Sequence, residues 1–294
     1  MRRVLRRLIE SAVLHGQDPS RLATNRDRFL NLAVLLEDKV RRLTTPKEGL
    51  PEIVSCDRQS TLKVAICDRQ PPWAAIPLEA LNVPGMITKE ERRYYTYLGS
   101  FYSGQGEVVE LGSWLGLSTL AILYGLRRNP AFAGKKLHVF DDFVWRSSWM
   151  DKWLDDGDFD IEKPHDHGDF SGLFDRFTSG VREHMVVERR RIAPYDGNER
   201  IAPLTWNGRP IEMVFVDCGR TLEVNEAWYK TLSPSFIPGR SLLVLEDWKT
   251  HREVPPRWYN QTKQFTDSKG RQLRLLHELR DGGAATFLYQ AGAQ

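Results

Sequence analysis

The chain has 294 residues, 41% hydrophobic and 28% charged, with a formal net charge of +3. These are ordinary values for a globular protein and leave room for one large α/β domain with an extension, or for two small ones. Outside the N-terminus the basic residues are spread along the chain, which gives no footprint for nucleic acid, and no run approaches the roughly 18 apolar residues of a membrane span. Cys56, Cys67 and Cys218 supply neither a disulfide framework nor a C-x-x-C metal pair, so a reducing, cytoplasmic setting is expected.

Residues 1–83 read as a helical extension and a connector. Residues 1–9 are charged and lack the apolar core of a secretory signal. Between Phe29 and Val40 apolar side chains recur at helical spacing, with Lys39, Arg41 and Arg42 in the last turns. Such a helix suits packing on the domain; a membrane surface or a contact between copies of the chain are the alternatives. Residues 46–83 are broken by prolines and read as extended connector. The domain proper is expected over 84–294, where Thr88 followed by Glu91 forms a capping box that opens a helix through Tyr94, Tyr95 and Leu98.

The stretch that organises the domain follows. A short apolar run, Val108–Leu111, carries Glu110 near its end. Gly112 and Gly116 then flank a turn, and a helical apolar pattern runs from Leu117 to Leu126. Strand, tight turn and helix N-terminus in that order mark the place where open α/β sheets bind ligands. The spacing is not the dinucleotide fingerprint G-x-G-x-x-G, and it lacks the Lys-Ser/Thr of a phosphate loop. A carboxylate at Glu110 would repel a pyrophosphate and suits a ligand that carries positive charge.

A second strand, Lys136–Phe140, runs into Asp141 and Asp142. Residues 143–178 are rich in Trp, Asp, Gly and His and read as irregular, too aromatic for a linker and placed where inserts cover active sites. His165, Asp166 and His167 read as a solvated loop ahead of a metal cluster. After a helix through Phe174–His184 and a basic run, Asp196-Gly197 reads as a turn. Ile211–Val216 is a buried strand that ends in Asp217, and a second one, Ser241–Leu245, ends in Glu246-Asp247-Trp248 with His251 close behind. Helices are expected over Val224–Leu232 and around Trp258–Phe265. The chain then closes with two strands, Gln272–Leu279 and Ala284–Tyr289, joined by the hairpin turn Asp281-Gly282-Gly283.

The motif E-L-G-S-x-x-G-x-S over Glu110–Ser118 resembles the first motif of class I S-adenosylmethionine-dependent methyltransferases, and its form is similar to the macrocin and catechol O-methyltransferase-like group. The segment Pro84–Glu91, the strand end at "VFDDF", the stretch "VFVDCGRTLE" from Val214, the stretch "PGxxLLVLEDW" from Pro238 and the terminal hairpin are similar to the same group, so the resemblance runs from about Pro84 to Gln290. It implies a Rossmann-like, seven-stranded, mostly parallel sheet with a C-terminal antiparallel hairpin. It also implies S-adenosyl-L-methionine as cofactor, with Glu110, Gly112, Ser113, Gly116 and Ser118 at its turn, Asp141 on the ribose and Asp196 near the adenine. Asp217 matches the family acid that binds metal where the family is metal-dependent, and Glu246 and Asp247 would complete a site for Mg²⁺. Gly219 and Arg220 depart from the family pattern of a second acid and a His. Asp217, Arg220 and His251 are the candidate catalytic residues; without a metal, Arg220, His251 or a His of the aromatic loop would have to orient or deprotonate a small hydroxylated acceptor, a sugar or natural product. A catalytically silent module of the same fold and a nicotinamide-dependent oxidoreductase are the competing readings.

Overall fold

A computed structural model of the chain describes Trp73 and residues 83–155, 161–192, 201–252 and 261–291. The expected N-terminal helices, most of the connector, Asp196 and the side chain of His251 lie outside the described residues.

The first helix, α1 (Lys89–Ser100), starts at the capping box: Thr88 accepts from the Glu91 amide while the Glu91 carboxylate accepts from the Thr88 amide. The sheet then grows through β1 (Glu107–Leu111), β2 (Leu137–Asp141), β3 (Met185–Arg189), β4 (Ile211–Val216), β5 (Leu242–Leu245), β6 (Leu273–Glu278) and β7 (Ala285–Tyr289). Its order is β3-β2-β1-β4-β5-β7-β6. β1 to β5 pair in parallel, and β7 runs antiparallel between β5 and β6. The expected sheet and its terminal hairpin are both present.

The central strands are apolar on both faces because helices cover both. Val108 and Met213 belong to one core, with Tyr94, Leu98, Ile122 and Leu126 of α1 and α2 (Leu117–Leu126). Their neighbours Val109 and Val214 belong to the other, with Trp228, Leu232 and Phe265 of α5 (Leu222–Leu232) and α6 (Thr262–Lys269). Successive side chains on a strand point to opposite faces, so these runs could be buried only between two layers. β1 has β2 on one side and β4 on the other, and the winding reverses there. A crevice therefore opens at the carboxyl ends of β1 and β4.

The aromatic stretch corrects the reading of 143–178 as irregular. It contains α3 (Ser147–Asp155), and the helix expected over Phe174–His184 begins three residues earlier, as α4 (Ser171–Thr178), and continues as a 3-10 helix over Ser179–His184. Its two arms are stitched by the Trp145 amide to the Gly168 carbonyl, the His167 amide to the Trp145 carbonyl and the Phe170 amide to the Phe143 carbonyl. Phe143, Trp145, Phe170 and Phe174 form one buried aromatic cluster. α3 is short, so its apolar period is too brief to register in the sequence, and long-range packing holds it.

Candidate functional site

Gly112 leaves β1 at φ +81°, the left-handed region that favours glycine. A Cβ there would stand 2.1 Å from the Asp217 carbonyl oxygen, because the Asp217 amide donates to the Leu111 carbonyl and draws the ends of β1 and β4 together. The turn that follows is built around Asp141. One carboxylate oxygen accepts from the Ser113 amide at 2.7 Å and the Trp114 amide at 3.1 Å; the other accepts from the Phe143 amide at 2.7 Å. Gly112, Ser113 and Asp141 are thus brought together at the tips of β1 and β2. Burial, then the neighbouring Asp142, raises the Asp141 carboxyl to about 6 in spite of those donors.

Glu110 and Ser118 also meet, but behind the turn. The buried Glu110 carboxylate accepts from the Ser118 and Thr119 hydroxyls, both at 2.6 Å, and so closes the first turn of α2. Burial, with a smaller contribution from Asp141, raises its carboxyl to about 7. Gly116, at φ +95°, serves packing: a Cβ would stand 2.5 Å from Thr178 Cγ2 of α4.

Across the crevice, Asp217 is exposed to water while the protein around it desolvates its carboxyl. That desolvation and the Asp247 carboxylate push it well above the usual carboxylate range, with Glu91 and Glu110 adding repulsion and Arg220 opposing it. Asp247 is held by the Arg220 guanidinium at 2.6 Å. Glu246 is buried, raised first by burial and then by Glu91, and its Oε2 has no hydrogen-bond partner. The Glu91 carboxylate reaches across from the α1 cap to accept from the Gly283 amide at 2.7 Å and so ties the β6–β7 turn to this edge. The sequence signalled Glu91 only as a local cap. Its second role depends on a partner 192 positions away.

The donor set does not suit a hard cation. Asp217, Glu246 and Asp247 would have to turn oxygens toward one centre. Asp247 is instead occupied by Arg220, and Glu246 faces Glu91 in the interior. No cluster of three potential ligands occurs among the described residues. The residues do suit a cationic organic ligand. Asp141 and Asp217, with Asp247 beside them and Glu110 buried behind the turn, make the crevice acidic, and repulsion among these groups adds to the rise of the Glu110 and Asp217 carboxyls.

No family model matches the chain, and no curated protein matches it. Solved structures do show likeness. An assigned O-methyltransferase from Klebsiella pneumoniae aligns with TM-score 0.49 and 14% identity, over 74% of this chain and 93% of its own. An O-methyltransferase from Bacillus cereus, solved in complex with SAH, aligns with TM-score 0.44 and 13% identity, over 86% and 97%. An SAH-bound methyltransferase from Podospora anserina aligns with TM-score 0.42 and 10% identity, over 88% and 96%. These likenesses concern the course of the backbone; the fold stands on its own strand order.

Proposed function

We propose that this chain is an S-adenosyl-L-methionine-dependent O-methyltransferase acting on a hydroxyl of a small molecule. The observation that carries the reading is the acidic crevice at the β1–β4 switch point, bordered by a glycine turn whose loop is pinned by the acid ending β2. Gly112, Ser113 and Asp141 would hold the cofactor, which supplies a sulfonium-bound, electrophilic methyl group. Asp141 Oδ1 accepts one amide, which leaves it a second lone pair for a hydroxyl. The same acidity argues against a nicotinamide dinucleotide, whose pyrophosphate would be repelled.

For the acceptor, the chain's task is to orient one hydroxyl and take its proton. Asp217 is the accessible carboxylate beside the glycine turn, so we assign it as the proton acceptor. Arg220 is the positioning residue: its ion pair with Asp247 sets a positive charge beside Asp217 that opposes the upward shift of its carboxyl. No step is assigned to Glu246. Positioning of this kind supplies roughly 7–11 kcal/mol where two reacting atoms are held in line.

Calorimetry on the full chain tests the reading. S-adenosylmethionine and its uncharged product S-adenosylhomocysteine should both bind, and the preference for the sulfonium should grow several-fold from pH 5.5 to pH 8 as the crevice carboxyls ionise. Absence of binding by either compound would sink the proposal. A catalytically silent module would bind both and transfer no methyl group to any acceptor.

A further inference from the structure

β6, at the far edge of the sheet, carries a histidine in apolar surroundings. His277 is buried, and neither of its ring nitrogens has a hydrogen-bond partner. Aromatic rings flank it instead, Trp73 at 5.1 Å and Tyr94 at 5.8 Å between centroids. Trp73 comes from the connector and is the one described residue before Val83. It is 1% exposed and wedged between His277 and α1, with Tyr94 at 4.8 Å and Tyr97 at 5.6 Å. Its indole N–H donates to Glu90 Oε1 at 3.3 Å.

The groups around His277 offer no acceptor for a proton. Thr286 of β7 stands opposite, but its hydroxyl is paired with the Tyr94 hydroxyl at 2.6 Å. The segment after β5 brings the Lys249 ammonium, bound to the Leu279, Arg280 and Gly282 carbonyls, and the hairpin turn brings the Arg280 guanidinium. Both are cations. On α1, Glu90 is taken by Trp73 and the Asp281 amide, and Glu91 by the Thr88 and Gly283 amides. A buried polar atom without a partner is unfavourable, and a buried charge without one far more so.

We propose that Trp73 is a latch that fastens the N-terminal extension to the domain, and that protonation of His277 releases it. The latch closes on a neutral imidazole. A proton on the ring can be kept only when Trp73 withdraws and water reaches the nitrogens. Burial, then Arg280 and Lys249, lowers the imidazole from 6.5 to about 4 in the closed form. For a base lowered in this way, closure has its full strength above the ordinary value and loses it as pH falls toward the closed one. The latch also reaches the crevice, because the α1 cap that holds Trp73 holds the hairpin turn, and Gly283 of that turn packs on the Glu246 and Asp247 backbone. Neither the latch nor its release depends on what the crevice binds.

Hydrogen exchange of the tryptophan indoles, followed by NMR on the full chain, tests the latch, with the Trp73 signal assigned by its loss in Trp73→Phe. Exchange at Trp73, taken relative to the 45% exposed Trp153, should quicken more than about tenfold from pH 7.5 to pH 5. In His277→Phe, whose ring takes no proton, that ratio should stay flat, and His277→Leu serves if the larger ring does not fit. Trp228, buried and bonded to Asn225 at 3.0 Å, should keep its protection throughout. A ratio indifferent to pH in the wild type, or a rise that persists in the variants, would overturn the latch. So would Trp228 opening in step with Trp73, which would mark unfolding of the whole domain.

Discussion

On the β1–β2 side of the crevice, acids are met by neutral donors: Glu110 by two hydroxyls, Asp141 by three backbone amides. On the β4–β5 side, acids are set against one another, with the Arg220 guanidinium drawn to Asp247 and Glu246 left facing Glu91. The first side is a finished scaffold that fixes a backbone turn. The second crowds acids in poor solvation, where their charged forms are disfavoured, and a positively charged ligand would favour ionisation. The contrast separates residues that shape the pocket from residues whose ionisation the ligand would feel.

The largest effect should come from the scaffold side. Gly112→Ala would drive a methyl group into the Asp217 carbonyl at a backbone angle that L residues rarely adopt. Neither strand can retreat without breaking the β1–β4 ladder, so the urea midpoint should fall by the equivalent of more than about 4 kcal/mol, or the protein should fail to fold. A midpoint near that of the wild type would show that the two strand ends are not so tightly drawn together.

Asp141→Ala comes next. It strips acceptors from the Ser113, Trp114 and Phe143 amides and should cost about 3 kcal/mol by denaturant titration, since each buried donor left unmet costs about 1–3 kcal/mol and water reaches some of them. S-adenosylhomocysteine affinity should fall with it. Unchanged affinity in a folded variant would separate the loop anchor from the cofactor site.

Glu110→Gln sharpens the comparison through pH. The Glu110 carboxyl is raised from 4.5 to about 7 in the folded chain. A raised acid contributes its stability below the unfolded value and loses it as pH rises through the folded one, so the wild type carries a penalty at pH 8 that the amide lacks. The variant should gain about 2 kcal/mol at pH 8 and nothing near pH 4.5, allowing for a penalty of about 1.4 kcal/mol per pH unit and the loss of one hydroxyl acceptor. Equal denaturation curves at pH 8 would place Glu110 in water.

The smallest effect on stability belongs to the charge-dense side. Asp247→Asn breaks an ion pair that is partly open to solvent, and such pairs contribute about 0–1 kcal/mol. Its consequence should appear in S-adenosylmethionine affinity and in turnover. A loss of several kcal/mol in thermal or urea melts would make the pair structural.

Much of the scaffold was legible because its causes are local. The Thr88–Glu91 cap, the strand-turn-helix of Glu110–Leu126 and the hairpin at Asp281–Gly283 depend on residues a few positions apart, and each left a pattern of glycine, cap or apolar period. The acids at the strand ends were legible as residue types at a place where ligands bind. Which way each would turn was not. Glu246 faces Glu91, and Asp247 faces Arg220, because the sheet order brings β5 beside β4 and the α1 cap beside the last hairpin. The short helix α3 of the aromatic insert was hidden for the same reason.

The sequence alone determined the alternation of strands and helices, the place of the glycine turn and the strand that bears each acid, since periodicity and turn chemistry act over a few residues. Only the tertiary structure decided that the Glu110 carboxyl closes a helix, that the Glu246 carboxyl lies in the interior and that Trp149 rests against Trp114. A side chain's orientation is chosen by burial, hydrogen-bond partners and neighbouring charge. Those neighbours come from distant parts of the chain and exist only once the layers have closed.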